Sequence, residues 1–441
     1  MTSKQTRRQF LHNSATAAVG IGLGATLLPR AFSQEKSAND KVIFGVIGCG
    51  GMGRANMNSF MKLPGVEIAA VCDVDQNHMN AAADDVTKAG RAAPKKFKDF
   101  RKLLEEKEIN AVLIGTPDHW HAIPFIAACE AGKDIYCEKP ISQNFMEAKA
   151  MMNAAKHFNR VVQIGTWQRS VKHFQDAIDF VHSGKMGEIS VCRSWVVNPM
   201  TSDISNIGKQ NPQTPPPELD WDFWLGPAEK RPYQPNRCHF QWRWFFDYGG
   251  GLMTDWGVHM LDIALLGLKQ TDPVSISSAG GIFVTQDDRD TPDTLIATYQ
   301  FPKVVMTWEH RFNNGRGLDG GKNHGTEFIG TNGSLIVDRE GYQYFPEKKD
   351  APEPPKFDKQ ESTHWQNFLD CVKSRQTPRS GIESMAKTTM LCHLGNIALQ
   401  SNKTLLWDAR KQDVKNRGDV KNCISYEREY RKPWKLKMYP G

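Results

Sequence analysis

A glycine-rich segment after the first apolar run has the residue types and spacing to hold a pyrophosphate. Residues 41–47 read KVIFGVI, which is typical of a parallel strand buried on both faces. GCGGMG follows, with glycines at the three positions of the pattern G-x-G-x-x-G. Gly48 permits a tight turn, Gly50 lets backbone approach a pyrophosphate, and Gly53 lets a helix pack against the sheet. The free N–H groups at the start of that helix would attract phosphates.

An acidic residue stands where a ribose would lie. Asp73 follows the second apolar run, Val66 to Cys72, and lies twenty residues after Gly53. At the tip of a second strand its carboxylate can accept both hydroxyls of an adenosine ribose. The same charge would repel a 2′-phosphate, and Val74-Asp75 adds no arginine to attract one. The segment therefore predicts a dinucleotide site that favours NAD over NADP.

Three further groups of polar residues could do chemistry. Two follow expected strands: the segment TPDHWH from Thr116 to His121, and Glu138-Lys139-Pro140. Because ligands bind at the carboxyl ends of parallel strands, we expect both at the edge that carries the glycine turn. The third is Asp255, His259 and Asp262, spaced i, i+4 and i+7, which would share one face of a helix. The histidines of the first segment lack further ligands in the sequence, so we expect no metal site.

Alternating strands and helices would position these groups. The pattern predicts helices over 54–62, 100–107, 123–131 and 145–157, and further strands over 111–115, 134–137 and 161–164. Such repeats predict an α/β fold with an N-terminal Rossmann domain, a doubly wound parallel sheet, over residues 40–165.

Residues 166–402 predict a second α/β domain with a large, mostly antiparallel sheet. We expect strands over 188–197, 274–283, 294–301, 304–311, 326–329 and 334–337, and helices over 364–373 and 382–401. Asn332-Gly333 is a favourable hairpin turn between the last two strands. Residues 403–441 form a C-terminal segment after this domain.

The order of these motifs resembles the Gfo/Idh/MocA family of sugar and polyol oxidoreductases. The resemblance rests on the glycine turn, Asp73, Thr116-Pro117, Glu138-Lys139-Pro140 and the segment GGGLMTDWGVHMLD at 249–262, and it covers residues 41–402. It implies a homo-oligomer that binds NAD and a small sugar or glycoside. It also implies a catalytic set of Lys139, Asp255 and His259. The residues expected to face the cofactor are Gly48, Gly50, Met52, Gly53, Asp73, Thr116, Pro117, His121, Glu138 and Lys139.

The chemistry of the implied catalytic set suits alcohol oxidation. Oxidising a secondary alcohol requires a base near neutral pKa, and His259 has the right side chain for that role. Lys139 can donate a hydrogen bond to the reacting oxygen and stabilise alkoxide charge. Asp255 can accept a hydrogen bond from the substrate and hold its orientation. Taken alone, however, Asp255 and His259 equally fit a helix cap and a core histidine.

A long, proline-rich segment over 199–243 suggests a substrate-binding loop. Seven of the twelve tryptophans lie between Trp167 and Trp256. Aromatic faces beside polar side chains suit sugar rings, although core packing is the better interpretation for any single tryptophan. The residues predicted on the substrate side are Trp167, Gln168, Arg169 and Arg243.

The first 33 residues predict a secretory signal. Arg7-Arg8 precedes an apolar run from Ala15 to Leu28, and Ala31-Phe32-Ser33 offers small residues to a signal peptidase. The run is shorter than the ~20 residues that a membrane span needs, so we expect no membrane insertion after signal removal. The paired arginines indicate export by the Tat route to the periplasm.

Composition excludes several classes of protein. A net charge of +7, with four basic residues in the first 33, does not call for a nucleic-acid partner. Nine scattered cysteines without a Cys-x-x-Cys pair exclude a zinc ribbon and a disulfide framework. The length of 441 residues fits two domains.

These features together predict an NAD-dependent oxidoreductase that acts on a secondary hydroxyl of a sugar or glycoside. Export favours a tightly bound cofactor, because free NAD is scarce outside the cytoplasm and the Tat route carries folded proteins. One alternative is an NAD-dependent glycosidase that oxidises its substrate transiently. The other is a non-catalytic dinucleotide-binding module, which would have no use for Lys139 or His259.

Overall fold

The computed structural model describes residues 41–199, 206–318, 320–350, 352, 354–356 and 362–441. Contacts divide the chain into two units, Met1–Asp40 and Lys41–Gly441, and the account below concerns the second. The signal sequence expected over residues 1–33 lies outside the described residues. Within the described part, no helix combines the length and apolar character needed to cross a membrane.

The first sheet has six parallel strands in the order β3-β2-β1-β4-β5-β6. Its strands are β1 (Val42–Ile47), β2 (Val66–Cys72), β3 (Lys95–Phe97), β4 (Ala111–Ile114), β5 (Asp134–Cys137) and β6 (Val162–Ile164). Its helices are α1 (Gly51–Met61), α2 (Gln76–Lys88), α3 (Phe100–Leu104), α4 (Asp118–Glu130) and α5 (Phe145–His157). The predicted doubly wound sheet is confirmed.

Local sequence explains where these helices begin. The Asp75 side chain accepts from the N–H groups of Asn77 and His78 and so caps α2. Asn144 accepts from the Glu147 N–H and caps α5 in the same way. Helix α1 has no side-chain cap and no acid in its first turn, so its leading N–H groups stay available to an anion.

The second sheet has nine strands in the order β13-β12-β11-β7-β10-β9-β8-β14-β15. They are β7 (Ile189–Pro199), β8 (Ser275–Gly281), β9 (Thr294–Gln300), β10 (Val305–Asn313), β11 (His324–Gly330), β12 (Gly333–Val337), β13 (Tyr342–Pro346), β14 (Leu405–Asp408) and β15 (Asp413–Val414). Strands β7 and β10 pair in parallel, and the other neighbouring strands of this sheet pair antiparallel. The six strands predicted here are confirmed, and so is the hairpin at Asn332-Gly333.

Within the residues that the structure describes, seven helices accompany the second sheet. They are α6 (Lys172–His182), α7 (Trp221–Leu225), α8 (Gly251–Asp255), α9 (Gly257–Leu268), α10 (His364–Ser374), α11 (Ile382–Ser401) and α12 (Arg417–Val420). Short 3-10 helices cover Trp167–Ser170, Pro235–Arg237 and His239–Trp244. The predictions for α10 and α11 are confirmed, whereas the helix expected through 255–262 is interrupted at Trp256.

The C-terminal segment extends the second sheet and packs against helix α5. Strand β14 pairs with β8 and extends the second sheet. Further along, the Tyr426 ring stacks on Phe145 of α5 at 5.4 Å, and Arg428 forms a buried ion pair with Glu147 of the same helix at 3.0 Å. Residues after 402 are therefore part of the folded unit.

Candidate active site

The glycine turn after β1 is shaped by contacts that only glycine allows. Gly48 has φ +87°, and a Cβ added there would lie 2.5 Å from the Thr116 nitrogen. A Cβ on Gly53 would lie 1.9 Å from the Gly48 oxygen. These close approaches bring the start of α1 against the ends of β1 and β4, which is the geometry a bound pyrophosphate requires.

Asp73 lies at the end of β2, beside the glycine turn. Its Oδ2 accepts from the Cys49 N–H at 2.6 Å, and its Oδ1 accepts from the Asp75 N–H at 2.9 Å. Burial raises the pKa of Asp73, and these two N–H donors oppose the rise. Each carboxylate oxygen keeps a further lone pair for a ribose hydroxyl.

The loops after β4 and β5 form the next part of the wall. Thr116 and Pro117 line the cleft, and Thr116 Oγ1 is buried without a hydrogen-bond partner in the described part of the chain. Glu138 accepts from Asn56 Nδ2 at 2.6 Å, and burial raises the pKa of Glu138. An unpaired hydroxyl and a carboxyl group thus border the cleft at the ends of neighbouring strands.

His121 lies behind this wall, away from the cleft. Its Nδ1 is 2.8 Å from the Pro140 oxygen and its Nε2 is 2.8 Å from the Thr116 oxygen. Both ring nitrogens therefore face backbone carbonyls, which leaves neither for a cofactor. The structure makes His121 a positioning residue that ties the two loops together, in place of the cofactor contact we expected.

Lys139 and Asp255 meet at the edge of the cleft. Lys139 Nζ donates to Asp255 Oδ1 at 2.9 Å and to the Asp255 backbone oxygen at 3.0 Å. Arg243 Nε donates to the same carboxylate at 3.3 Å. Burial favours a higher pKa for Asp255, but the charges of Lys139 and Arg243 outweigh it and lower that pKa to about 2. Asp255 therefore stays ionised and fixes both cations.

His259 lies one turn beyond Asp255 and is buried. Burial, with the charge of Lys139 added, lowers the pKa of His259 well below its ordinary value. Its Nδ1 has no hydrogen-bond partner among the described residues. The imidazole is therefore neutral near pH 7 and able to accept a proton.

Two of the predicted substrate-side residues contact other side chains, although Gln168 Nε2 is buried without a hydrogen-bond partner among the described residues. Arg169 forms a two-point ion pair with Asp262, with Nη2–Oδ1 at 2.6 Å and Nε–Oδ2 at 2.7 Å. Gln168 is buried, and its Oε1 faces the Arg339 guanidinium at 3.4 Å. The planar donors of Arg169 are paired with a buried carboxylate, and its contact with substrate stays a prediction. Asp262 likewise faces Arg169 and not the cleft.

The aromatic residues of the 199–243 segment are divided between core and cleft. Trp221 and Trp224 stack at 4.8 Å, and both are buried. Trp242 borders the cleft, and the Arg243 guanidinium lies 4.5 Å from its ring centroid. Trp167 is part-buried against the core. Packing is therefore the main role of these rings, with Trp242 and Arg243 at the site.

The cleft has a volume of about 430 Å³. Of the predicted residues, those that line it are Gly48, Gly50, Met52, Asp73, Thr116, Pro117, Glu138, Lys139 and Arg243. The predicted residues that do not line it are Gly53, His121, Trp167, Gln168, Arg169, Asp255 and His259. Lys139 and Arg243 thus connect the cleft to Asp255, and the charge of Lys139 also acts on His259.

A strap from the second half of the chain crosses the adenosine end of the cleft. We define the strap as residues 218–240. Its Glu218 oxygen accepts from the Gln76 N–H at 3.0 Å, and its Asp220 N–H donates to the Val74 oxygen at 3.0 Å. His239 Nε2 lies 3.4 Å from Asp75 Oδ2. The strap therefore closes over the residues that follow Asp73.

The strap also completes a cluster that the sequence did not suggest. The ligand-type atoms of Asp75, His78 and His239 all lie within 4.8 Å of one another. His78 also borders the glycine turn, since a Cβ on Gly50 would lie 3.2 Å from its Nδ1. The absence of a metal stays a prediction, and these imidazoles lie where the adenosine half of a dinucleotide would bind.

Sequence reasoning missed Arg339 and Asp118. Asp118 lines the cleft, and burial raises its pKa well above the ordinary value. Arg339 lies in the β12–β13 turn, and its guanidinium is 4.3 Å from the Trp256 ring centroid. Asp118 follows the Thr116-Pro117 motif and could have been suspected, whereas no local pattern marks Arg339.

The residues of the cleft fit NAD. The glycine turn and the uncapped start of α1 would hold the pyrophosphate, and Asp73 would hold the adenosine ribose. The unpartnered Thr116 hydroxyl and Lys139 would border the nicotinamide end.

Comparison with known proteins agrees with this geometry. Residues 42–166 match the GFO_IDH_MocA profile, an oxidoreductase family with an NAD-binding Rossmann fold. Residues 202–436 match the C-terminal alpha/beta domain of the same oxidoreductase family. The chain belongs to the Gfo/Idh/MocA family. As a member of this family it is an NAD-binding oxidoreductase.

Two relatives are similar in sequence to this family member over different lengths. The uncharacterized oxidoreductase YrbE of Bacillus subtilis is 24% identical over 300 residues, which is 68% of this chain and 74% of YrbE. A glycosyl hydrolase family 109 protein of Saccharopolyspora erythraea is 29% identical over 201 residues, 42% of this chain and 44% of that protein. The chain thus covers less than half of the second relative.

Solved structures share the fold of this family member. The WlbA dehydrogenase from Bordetella pertussis, in complex with NADH and UDP-GlcNAcA, has a TM-score of 0.62 at 15% identity, covering 83% of this chain and 98% of WlbA. A levoglucosan dehydrogenase in complex with NADH and levoglucosan has a TM-score of 0.60 at 18% identity, covering 82% and 98%. These likenesses concern the fold.

Proposed function

We propose that the protein oxidises or reduces a secondary hydroxyl of a sugar or glycoside, using a tightly held NAD. One observation carries the proposal: Lys139, from the Rossmann sheet, contacts Asp255 beside the neutral His259. The contact joins the cofactor cleft to a group able to move a proton. The levoglucosan dehydrogenase that shares this fold supports the substrate class.

Each residue of this trio has a distinct task. When bound, NAD supplies a hydride acceptor or donor at its nicotinamide ring. The neutral His259 accepts the hydroxyl proton during oxidation and returns it during reduction. Lys139 donates to the reacting oxygen and stabilises its developing charge, and the ionised Asp255 holds Lys139 in place.

The strap supports slow release of the cofactor. Its backbone bonds to Val74 and Gln76 and the contact between His239 and Asp75 must open before a bound dinucleotide could leave. Two backbone hydrogen bonds and a polar contact contribute a few kcal/mol at most, about 1 kcal/mol each. That range is enough to slow release by orders of magnitude without making it irreversible.

The test is whether sugars reduce the bound nicotinamide. Protein loaded with NAD is mixed with a panel of free sugars and glucosides, and absorbance at 340 nm is followed. We expect reduction by at least one sugar and a loss of about 10²- to 10⁴-fold in rate in Lys139→Ala and His259→Ala. Nicotinamide that no sugar reduces would contradict the proposal, and purified protein that releases no nucleotide on denaturation would contradict tight binding.

A redox-assisted glycosidase is the second candidate. The similarity to a glycosyl hydrolase family 109 protein favours it. The same assay separates the two candidates, because the glycosidase would release free sugar from a glycoside without net formation of NADH.

We also propose that the protein is exported by the Tat route to the periplasm and forms homo-oligomers. Arg7-Arg8 and the apolar run after it support export. Exposed apolar side chains on the second sheet and next to it support self-association, Phe283 at 70% and Ile296 at 49% exposure. Cell fractionation tests the location, and light scattering on the wild type and Phe283→Glu tests the assembly.

A further inference from the structure

Arg339 occupies an unusual setting in the turn between β12 and β13. Its guanidinium lies 4.3 Å from the Trp256 ring centroid and 5.2 Å from the Trp167 ring centroid. Contact with aromatic faces holds a guanidinium in one orientation while its N–H groups, which point along the edge of the plane, remain usable. Two tryptophans therefore present the donors of Arg339 in a fixed direction.

Those donors are largely unused. Gln168 Oε1 is 3.4 Å from both Nε and Nη2, at the outer limit for a hydrogen bond. Among the residues that the structure describes, no carboxylate lies within 4.0 Å of Arg339. Burial lowers the pKa of Arg339, and the attraction of Asp255 and Glu340 opposes that effect. A part-buried cation without a paired carboxylate is costly unless a ligand supplies the partner.

Arg339 lies on the side of the site that holds the base. Its positive charge is one of those that lower the pKa of His259. The ring of Trp256, on which Arg339 stacks, has its centroid 6.4 Å from that of His259. A ligand group bound by Arg339 would therefore belong to the molecule that reacts at His259.

The other two cations of the site share one carboxylate. Lys139 and Arg243 both contact Asp255, at 2.9 and 3.3 Å. Arg243 also donates to the Phe240 oxygen at 2.9 Å. These two cations have a carboxylate partner, whereas Arg339 has none among the described residues, and the four side chains together carry an excess positive charge that favours an anionic ligand.

We propose that Arg339 binds a carboxylate of the substrate, so that the preferred substrates are uronic acids and their glycosides. The proposal rests on the function proposed above and names the substrate class of that site. A single planar guanidinium matches a single planar carboxylate with two parallel hydrogen bonds.

The test compares two probes that differ at one carbon. Protein loaded with NAD is assayed at 340 nm with methyl β-D-glucuronide and with methyl β-D-glucoside, and KM and kcat are measured for each. We expect the KM of the glucuronide to be at least about tenfold lower. In Arg339→Gln and Arg339→Lys we expect its KM to rise about 10- to 100-fold with little change in kcat, because glutamine lacks the positive charge and lysine lacks the two parallel donors. The KM of the glucoside should stay within about twofold.

Controls test whether the effect is specific to the Arg339 guanidinium or follows from the loss of any positive charge. Lys303→Gln removes an exposed positive charge in the β9–β10 turn and should leave the preference intact. Equal losses of kcat for both probes in the Arg339 variants would make Arg339 a positioning residue and overturn the proposal. Stronger action on glucose 6-phosphate than on the glucuronide would overturn the assignment to a carboxylate.

The same assays distinguish failure of the carboxylate site at Arg339 from failure of the proposed activity on sugars. Oxidation of the glucoside with no preference for the glucuronide would keep the proposed function and overturn the carboxylate site. If no sugar reduces the nicotinamide, the proposed function fails, and thermal shift with glucuronate and glucose decides the binding site. Stabilisation by glucuronate in the wild type but not in Arg339→Gln would support it, and equal shifts would overturn it.

Discussion

The cofactor side and the substrate side of the site are built from different kinds of contact. On the cofactor side, the glycine turn, Asp73, Thr116 and Glu138 each stand at the end of a strand in one parallel sheet. On the substrate side, the contacts join distant parts of the chain. Lys139 and Asp255 are separated by 116 positions, and Gln168 and Arg339 by 171.

This difference indicates which residues can be substituted without leaving a partner residue unpaired. A strand end is fixed by its own sheet, so the positions of its residues depend mainly on backbone geometry. A contact between distant segments depends on both partners, because removing one leaves the other buried and unpaired. Substitutions should therefore act through the backbone on the cofactor side and through pair partners on the substrate side.

The largest effect is expected at Gly53. An added Cβ would lie 1.9 Å from the Gly48 oxygen, which is backbone and has no room to move away cheaply. Gly53→Ala should lose about 4 kcal/mol of stability and at least about 100-fold in NAD affinity. Chemical denaturation and titration with NAD measure the two losses.

Gly51 provides the matched control in the same helix. A Cβ on Gly51 would meet no protein atom within 4 Å. Gly51→Ala should therefore change stability by less than about 0.5 kcal/mol. If the two variants lose equal stability, backbone contact is not what fixes the cofactor side.

A smaller effect is expected at the Arg169–Asp262 pair. Arg169→Met should cost about 3 kcal/mol, because Asp262 is left buried without its partner. Arg169→Met with Asp262→Leu should recover part of that loss. The KM for sugar should change less than about twofold in the double variant. A large increase in KM would instead indicate that Arg169 contacts the substrate. Lys102→Met breaks an exposed pair with Glu105 and should cost less than about 0.5 kcal/mol.

The fold and the cofactor side could be predicted because their signals are local. The run KVIFGVI, the glycine pattern and Asp73 lie within 33 residues, and each implies the next. Arg169 and Asp262 each matched a plausible role, but sequence carries no sign that they pair with each other. Arg339 could not be recognised as a candidate site residue from the sequence, because its setting depends on where Trp167 and Trp256 lie in the tertiary structure. His121 was predicted in the segment after β4, but it lies in the first turn of α4, and its two carbonyl contacts depend on where Pro140 lies.

The smallest expected effect compares one buried histidine from each region. Burial lowers the pKa of His121 to about 4 and that of His310 to about 4, against an unfolded value near 6.5. Each therefore stabilises the fold in full above pH 6.5 and loses that contribution as the pH falls toward 4.

The equal pKa values predict equal acid responses for these two histidines. Between pH 6.5 and 4.5, His121→Gln and His310→Gln should each flatten the pH dependence of stability by up to about 1 kcal/mol per pH unit. Thermal melts across that range measure both slopes. A clearly smaller effect of His121→Gln would mean that donation from a protonated His121 to its two carbonyl partners offsets the cost of burial, whereas a protonated His310 loses the bond its Nδ1 accepts from Trp308 at 3.0 Å.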